Sequence, residues 1–395
     1  MAVTAPIPPE PVETARRVID ACRAMGFARA GIARAEPTSF AAEYRAWIAA
    51  GRHGDMDYLA ENIDERLDIR KLQPGARSVV MVADQYAAGS SKGVAETAND
   101  SVGGGADERA GRPLGMVAKY ARGRDYHHHI RGRLHKLADR LRKLFPGTHC
   151  RTFIDTAPVL EREQAARALL GAERGPPAFI GKHTLLIDPR LGSYLLLGGL
   201  ATTLELAPTR ELPAQRQGAR IAGRNDGCGN CTRCIDACPT KAIAPYSVDA
   251  TRCISYLTLE HKGEIASGLQ AAMGSWLLGC DICQDVCPFN AGRHPNDEPS
   301  QVRPEYRDDG ARASLPLLEV LGWSEDVRRR VLSGSAAKRA TLEMIRRNAL
   351  IAMGNQREGA TLALPVIQAI ANRGAESPIV RGTARAVLER LATTC

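Results

Sequence analysis

A chain of 395 residues with 44 % hydrophobic and 25 % charged side chains has the make-up of an ordinary soluble globular protein, and it is too long for one core, so two or three domains are expected. No apolar run approaches the ~18–20 residues of a bilayer-crossing helix, which excludes a helical membrane protein. The net charge of +9 is a modest basic excess that suits an acidic partner such as nucleic acid, but equally a protein with no such partner.

The N-terminus, MAVTAPIPPEPVE, is proline-rich and has no basic stretch followed by an apolar one. It does not read as a signal peptide, so a cytoplasmic location is expected. Residues 12–25 have the spacing of an amphipathic helix, and 28–33 that of a strand. ARSVVMV at 77–83 reads as a buried strand. Residues 87–111 are Gly/Ser/Ala-rich and polar, the composition of a flexible loop or insertion. A basic amphipathic helix is predicted at 127–144, then a strand at 151–154, a helix at 160–170, and strands near 184–187 and 194–197. This alternation predicts an α/β domain over 1–215.

Eleven cysteines follow an uneven plan, with eight of them between 228 and 287. A secreted disulfide scaffold would be short and evenly studded. Residues 228–239 read CGNCTRCIDACP, the spacing of the bacterial ferredoxin run. In that run the first three thiolates hold one [4Fe–4S] cubane and the fourth crosses to a second cluster. The other half is permuted: Cys280, Cys283 and Cys287-Pro288 supply three positions, and Cys253 upstream supplies the missing one. The crossover logic assigns Cys228, Cys231, Cys234 and Cys287 to one cluster, and Cys238, Cys253, Cys280 and Cys283 to the other. The alternative is a zinc ribbon, which does not need the repeated three-residue step to Cys-Pro. Cys22, Cys150 and Cys395 receive no role, since lone cysteines are usually small buried hydrophobes. A ferredoxin-like two-cluster module is therefore expected over 216–300.

From 310 to 395 the pattern is helical throughout, in short pairs that read as HEAT-like repeats. Residues 301–395 carry 15 Lys/Arg against 10 Asp/Glu, a net of +5. Arg328, Arg329, Arg330, Lys338, Arg346 and Arg347 mark either a phosphate-binding surface or a solvated helical face.

Several segments together resemble the cobalamin-dependent epoxyqueuosine reductases of tRNA modification. They are GDMDYL (54–59), KYARGRDYH (119–127), DTAPVLER (155–162), FIGKHTLLI (179–187), GSYLLLGGL (192–200), CGNCTRCIDACPTKAI (228–243), RCISYLTLEHKG (252–263), GCDICQDVCPFN (279–290) and, in the tail, KRATLEMIRRNALIAMGN. Three features depart from the family pattern: the insertion at 87–111, GGL at 198–200 where Gly-Glu is usual, and Phe179 where an indole is common. A reductive dehalogenase or a plain ferredoxin-type electron-transfer module would share only the cluster region.

The resemblance implies that 1–215 binds cobalamin, that 310–395 binds tRNA, and that the enzyme reduces epoxyqueuosine at the wobble position of a tRNA anticodon stem-loop. It also implies two [4Fe–4S] clusters, an external one-electron reductant and a monomer. The local sequence of Asp155 favours a helix N-cap, and the match to the family's proton donor reverses that reading. Burial would raise its pKa and keep it protonated. Asp125 and His127 would position substrate or supply a second proton. Lys182, His183, Ser255 and Tyr256 would contact the corrin. The triplet His127–His129 looks metal-like, but adjacent histidines on a helix diverge.

Overall fold

The computed structural model describes residues 10–88, 113–168, 170–172, 176–212, 227–290, 300–308, 310 and 312–393. The expected loop at 87–111, apart from its first two residues, lies outside the described residues, as does Cys395. The strands in chain order are β1 (Arg29–Arg34), β2 (Ser78–Gln85), β3 (Leu114–Val117), β4 (Cys150–Phe153), β5 (Phe179–Ile180), β6 (Leu186–Ile187), β7 (Leu195–Thr202), β8 (Ile243–Ala244), β9 (Ser247–Val248), β10 (Trp276–Leu278) and β11 (Ser314–Pro316).

β2 is buried at all eight positions, because it is central in a sheet of order β1-β2-β7-β4 and both faces of that sheet are covered. Ile32, Val80, Val82 and Leu200 face the Pro11–Ala24 and Tyr126–Leu144 helices, meeting Val18, Ile19, Ile130, Leu134 and Leu137. Val79, Met81, Phe153 and Ala201 face the other way, onto Ala165, Ala168 and Leu170. Helices and strands alternate as the sequence predicts. Every pairing in this sheet is antiparallel, however, so the alternation does not carry the parallel sheet that such a pattern usually signals. The glycines of β7 have a steric role: a Cβ on Gly198 would lie 2.6 Å from Ile130, and one on Gly199 would lie 2.6 Å from the sulfur of Met81.

A second sheet joins three parts of the chain that are distant in sequence. β3 is its centre, parallel to β10 and antiparallel to β11. The apolar side chains of these strands share a core with the Leu342–Gly354, Arg357–Asn372 and Pro378–Thr393 helices, through Val117, Leu277, Leu315, Ile345, Leu350 and Val387.

This docking overturns part of the basic-surface expectation. Arg347 is 0 % exposed. Its guanidinium donates to the carbonyls of Leu257 (2.6 Å), His261 (2.8 Å) and Gly263 (2.6 Å). Beside it, Asn348 donates to the carbonyls of Thr258 (2.9 Å) and Leu277 (3.0 Å). Burial pushes the Arg347 pKa down to about 10. The side chain is a clamp between the helix and the cysteine-rich region, not a phosphate contact. Arg346 is partly buried and paired with Glu376 at 2.8 Å. Arg328 is turned back onto Glu325 and the carbonyls of Lys338 and Ala340. Arg329 and Arg330 remain exposed.

Candidate active site and cysteine groups

β1 and β7 of the first sheet, the β5–β6 pair and the cysteine-rich region line a cleft of about 1670 Å³. Small-molecule sites usually measure ~300–1,000 Å³. Asp155 opens into it from the segment following β4. Its carboxylate is 43 % accessible, and the cleft is what it is accessible to. It does not cap the Glu161–Arg167 helix, whose N-cap is Leu160 with no side-chain bond. Instead Tyr126 donates its hydroxyl proton to one oxygen of Asp155, and Nε2 of His127 lies 3.0 Å from the other. The N-cap role belongs to Asp125, which accepts from the backbone N–H of His127 at 3.1 Å. The same Asp125 holds His127 Nδ1 at 2.6 Å and Lys338 Nζ at 2.7 Å. The Tyr126 ring stacks on the His127 ring at 4.1 Å.

This arrangement reverses the pKa expected for Asp155. Burial acts upward on its carboxyl, but His127, Tyr126 and Arg339 outweigh it, so the pKa is lowered. Burial acts downward on His127, and Asp155 and Asp125 outweigh it, so that pKa is raised. Nothing in the sequence showed that His127 would sit between two carboxylates. Within the histidine triplet, His127 faces Asp125 and Asp155, while the rings of His128 and His129 meet edge to face at 6.0 Å.

The cysteines fall into two groups by position. Cys238, Cys253, Cys280 and Cys283 line the cleft; the described lining includes none of Cys228, Cys231, Cys234 and Cys287. Cys287 packs beside Cys228, Phe179 and Ile187. Its thiol is pushed up to about 11, by burial first and then by Cys228, Cys234 and Cys231 nearby. Cys283 is raised by burial and by Cys253, Asp281, Cys234 and Cys238.

Lys182 belongs to the group away from the cleft: its backbone N–H points at Cys228 Sγ (3.4 Å), and its ammonium donates to the carbonyls of Gly229 (2.7 Å) and Cys231 (2.9 Å). It does not line the cleft, which corrects its expected contact with a corrin. His183 does line it and is 3 % exposed. Its Nδ1 accepts from Leu185 N–H at 3.1 Å, which leaves the proton on Nε2, a buried donor with no partner. Burial pushes the His183 pKa down to about 4, so the ring is neutral. Ser255 and Tyr256 also line the cleft. The Tyr256 hydroxyl accepts from Asp55 N–H at 2.7 Å, and a Cβ on Gly54, which sits at φ +59°, would strike its ring. Sequence reasoning missed Tyr58, Tyr120 and Glu161, which line the cleft, as does Arg339. The segment GDMDYL was a visible signal for Tyr58, but spacing alone gave it no role.

Comparison with known proteins agrees with this geometry. Residues 227–290 match the family model of a 4Fe-4S double cluster binding domain, and residues 66–156 match epoxyqueuosine reductase QueG, DUF1730. The chain is 35 % identical to an epoxyqueuosine reductase of Pseudomonas aeruginosa, over 95 % of this chain and 93 % of that one. It is 33 % identical to the Escherichia coli epoxyqueuosine reductase, over 90 % and 84 %. Among solved structures, an epoxyqueuosine reductase with an epoxyqueuosine-modified tRNA-Tyr stem loop superposes with a TM-score of 0.78 at 26 % identity, covering 97 % of this chain and 91 % of that one. A Bacillus subtilis epoxyqueuosine reductase, whose catalytic aspartate loop is swung out of the active site, gives 0.77 at 25 %, over 97 % and 91 %. The chain therefore belongs to the epoxyqueuosine reductases, a family of oxidoreductases.

Proposed function

We propose that this protein reduces epoxyqueuosine to queuosine at the wobble position of tRNA, using cobalamin supplied with electrons by two [4Fe–4S] clusters. One observation carries the reading: a single cleft brings Asp155 together with Cys238, Cys253, Cys280 and Cys283, while the other four expected ligands do not line it.

The residues present also fit a corrin. The cleft exceeds the usual ligand volume, its apolar walls include Trp47, Phe179, Leu195 and Leu197, and the orphaned Nε2–H of His183 needs an acceptor of the kind a corrin amide offers. Bound there, reduced cobalamin would supply the electron pair for cleavage of the C–O bond. Ser255 and Tyr256 stand on the wall that also carries Cys253.

Reduction of the epoxide consumes two electrons and two protons and yields an alkene and water. The first proton goes to the epoxide oxygen as the C–O bond breaks, and the second makes the resulting hydroxyl leave as water. An unprotonated oxygen leaves poorly, so a positioned acid is required. Asp155 is the acid that opens into the cleft, and His127 is the proton store behind it. His127 between two carboxylates stays charged at higher pH than a free histidine, and it passes a proton through Asp155 as negative charge develops on the substrate oxygen. Asp125 fixes the ring and its tautomer.

The test is reconstitution with iron, sulfide and cobalamin, followed by mass analysis of a modified anticodon stem-loop under a low-potential one-electron reductant. Loss of one oxygen mass from the base together with a retained corrin spectrum is expected. Intact clusters with neither corrin retention nor conversion would instead mark a plain electron-transfer module.

A further inference from the structure

Tyr58 is a large aromatic side chain left 44 % exposed on the lip of the same cleft that holds Asp155. Among the described residues the other large exposed apolar side chains are Leu144, Leu318 and Val366. None of these lines the cleft. A turn held at several points presents Tyr58: the Arg66 guanidinium donates to the Tyr58 carbonyl (2.8 Å), and the Tyr44 hydroxyl donates to the carbonyl of Leu59 (2.7 Å). Arg66 itself is buried, so the turn is anchored from inside. On the same lip Arg339 is exposed at its tip and paired with Glu260. Tyr58, Arg339, Glu260 and Asp155 lie within electrostatic reach of one another.

An aromatic ring left 44 % exposed on an anchored turn costs apolar hydration in the free protein. Single-stranded RNA is recognised by stacking unpaired bases on such rings and on arginine planes, with phosphates neutralised close by. We propose that Tyr58 is the stacking platform for an anticodon-loop base at the cleft mouth, with Arg339 beside it as the cationic contact to the flanking backbone. The inference rests on the tRNA reading above and adds the side chains that hold the loop while one base enters. It places RNA contact at the cleft lip, with the exposed arginines of the tail as an outer ring.

The test measures binding of a modified anticodon stem-loop to the iron-loaded protein, with a fluorescent 2-aminopurine placed next to the wobble base. Tyr58→Leu is expected to weaken binding roughly five- to hundredfold, the range for loss of one base–aromatic stack, with an unchanged salt slope. It should also relieve quenching of the probe. Tyr58→Phe keeps the ring and should restore both. Arg339→Gln should flatten the salt dependence by about one counterion. Iron content and thermal unfolding of each variant show that the fold is kept. Unchanged affinity and quenching in a folded Tyr58→Leu protein would overturn the proposal. So would unchanged RNA affinity with lost cobalamin retention, which would assign the ring to the corrin. If the unsubstituted protein binds no stem-loop, the tRNA reading fails and this inference falls with it.

Discussion

The cysteine-rich region and the helical tail were both read from simple features, and they behave differently. In the first, the feature is donor spacing: eight thiols at fixed intervals, which the fold gathers into one group on the cleft and one behind it. In the second, the feature is positive charge, and of the six candidate cations Arg347 is buried on carbonyls while Arg328, Arg329, Lys338 and Arg346 pair with neighbouring carboxylates. The difference is physical. A cluster ligand must be cysteine at a set spacing, so the sequence records its purpose. An arginine can bind phosphate outside or fan onto carbonyls inside, and the letter is the same in both cases.

Five variants sharpen this contrast. The largest effect should come from Cys287→Ala, which removes a ligand from the group away from the cleft. Iron should drop from about eight towards four per chain, and the signal that survives should be that of the cleft-lining group. Turnover should vanish while stem-loop binding persists. EPR and iron counts of the variant check this; two intact clusters would break the crossover assignment.

Asp155→Asn should lower turnover by about 10²–10⁴ with clusters and RNA affinity retained, the range for a lost general acid. The pH dependence has a definite sign. The His127 pKa is raised, so its ion pair with Asp155 is complete below the ordinary histidine value of about 6.5 and is lost as pH rises through the raised value. The Asp155 pKa is lowered, so the same pair persists above about 3.9 and is lost only as pH falls through the lowered value. Single-turnover rates should therefore decline on the alkaline side, and His127→Asn should flatten that decline. A profile unmoved by this substitution would remove His127 from proton supply.

Arg347→Ala acts on stability rather than chemistry. It strands the buried carbonyl of Leu257 and the part-buried carbonyls of His261 and Gly263, a loss of roughly 3–5 kcal/mol in denaturant unfolding. Lysine should not rescue it, because a point charge cannot fan onto three acceptors. The smallest effect on folding should be that of Arg329→Ala with Arg330→Ala, under about 0.5 kcal/mol, because both side chains are exposed. That pair should weaken stem-loop binding and flatten its salt slope. If the two arginine experiments gave the same result, the contrast between inward and outward cations would be lost.

The sequence by itself pointed to iron–sulfur ligation and to the family. The first depends on a residue type at a fixed offset, such as Cys228-x-x-Cys231, and local spacing is written in the chain; Asp155 became the candidate acid only through the family resemblance, since its local sequence also suits a helix cap. It also placed β2 and the Tyr126–Leu144 helix, whose apolar periods are long enough to read. Only the tertiary structure decided that β3, β10 and β11 form one sheet, that Arg347 is a clamp, that Lys182 serves the cysteine loop, and that His127 sits between Asp125 and Asp155. Each of these depends on which distant segment packs against a residue. Burial and neighbouring charge then set whether a cation is solvated, or a carboxyl protonated, and neither quantity exists until the chain has folded.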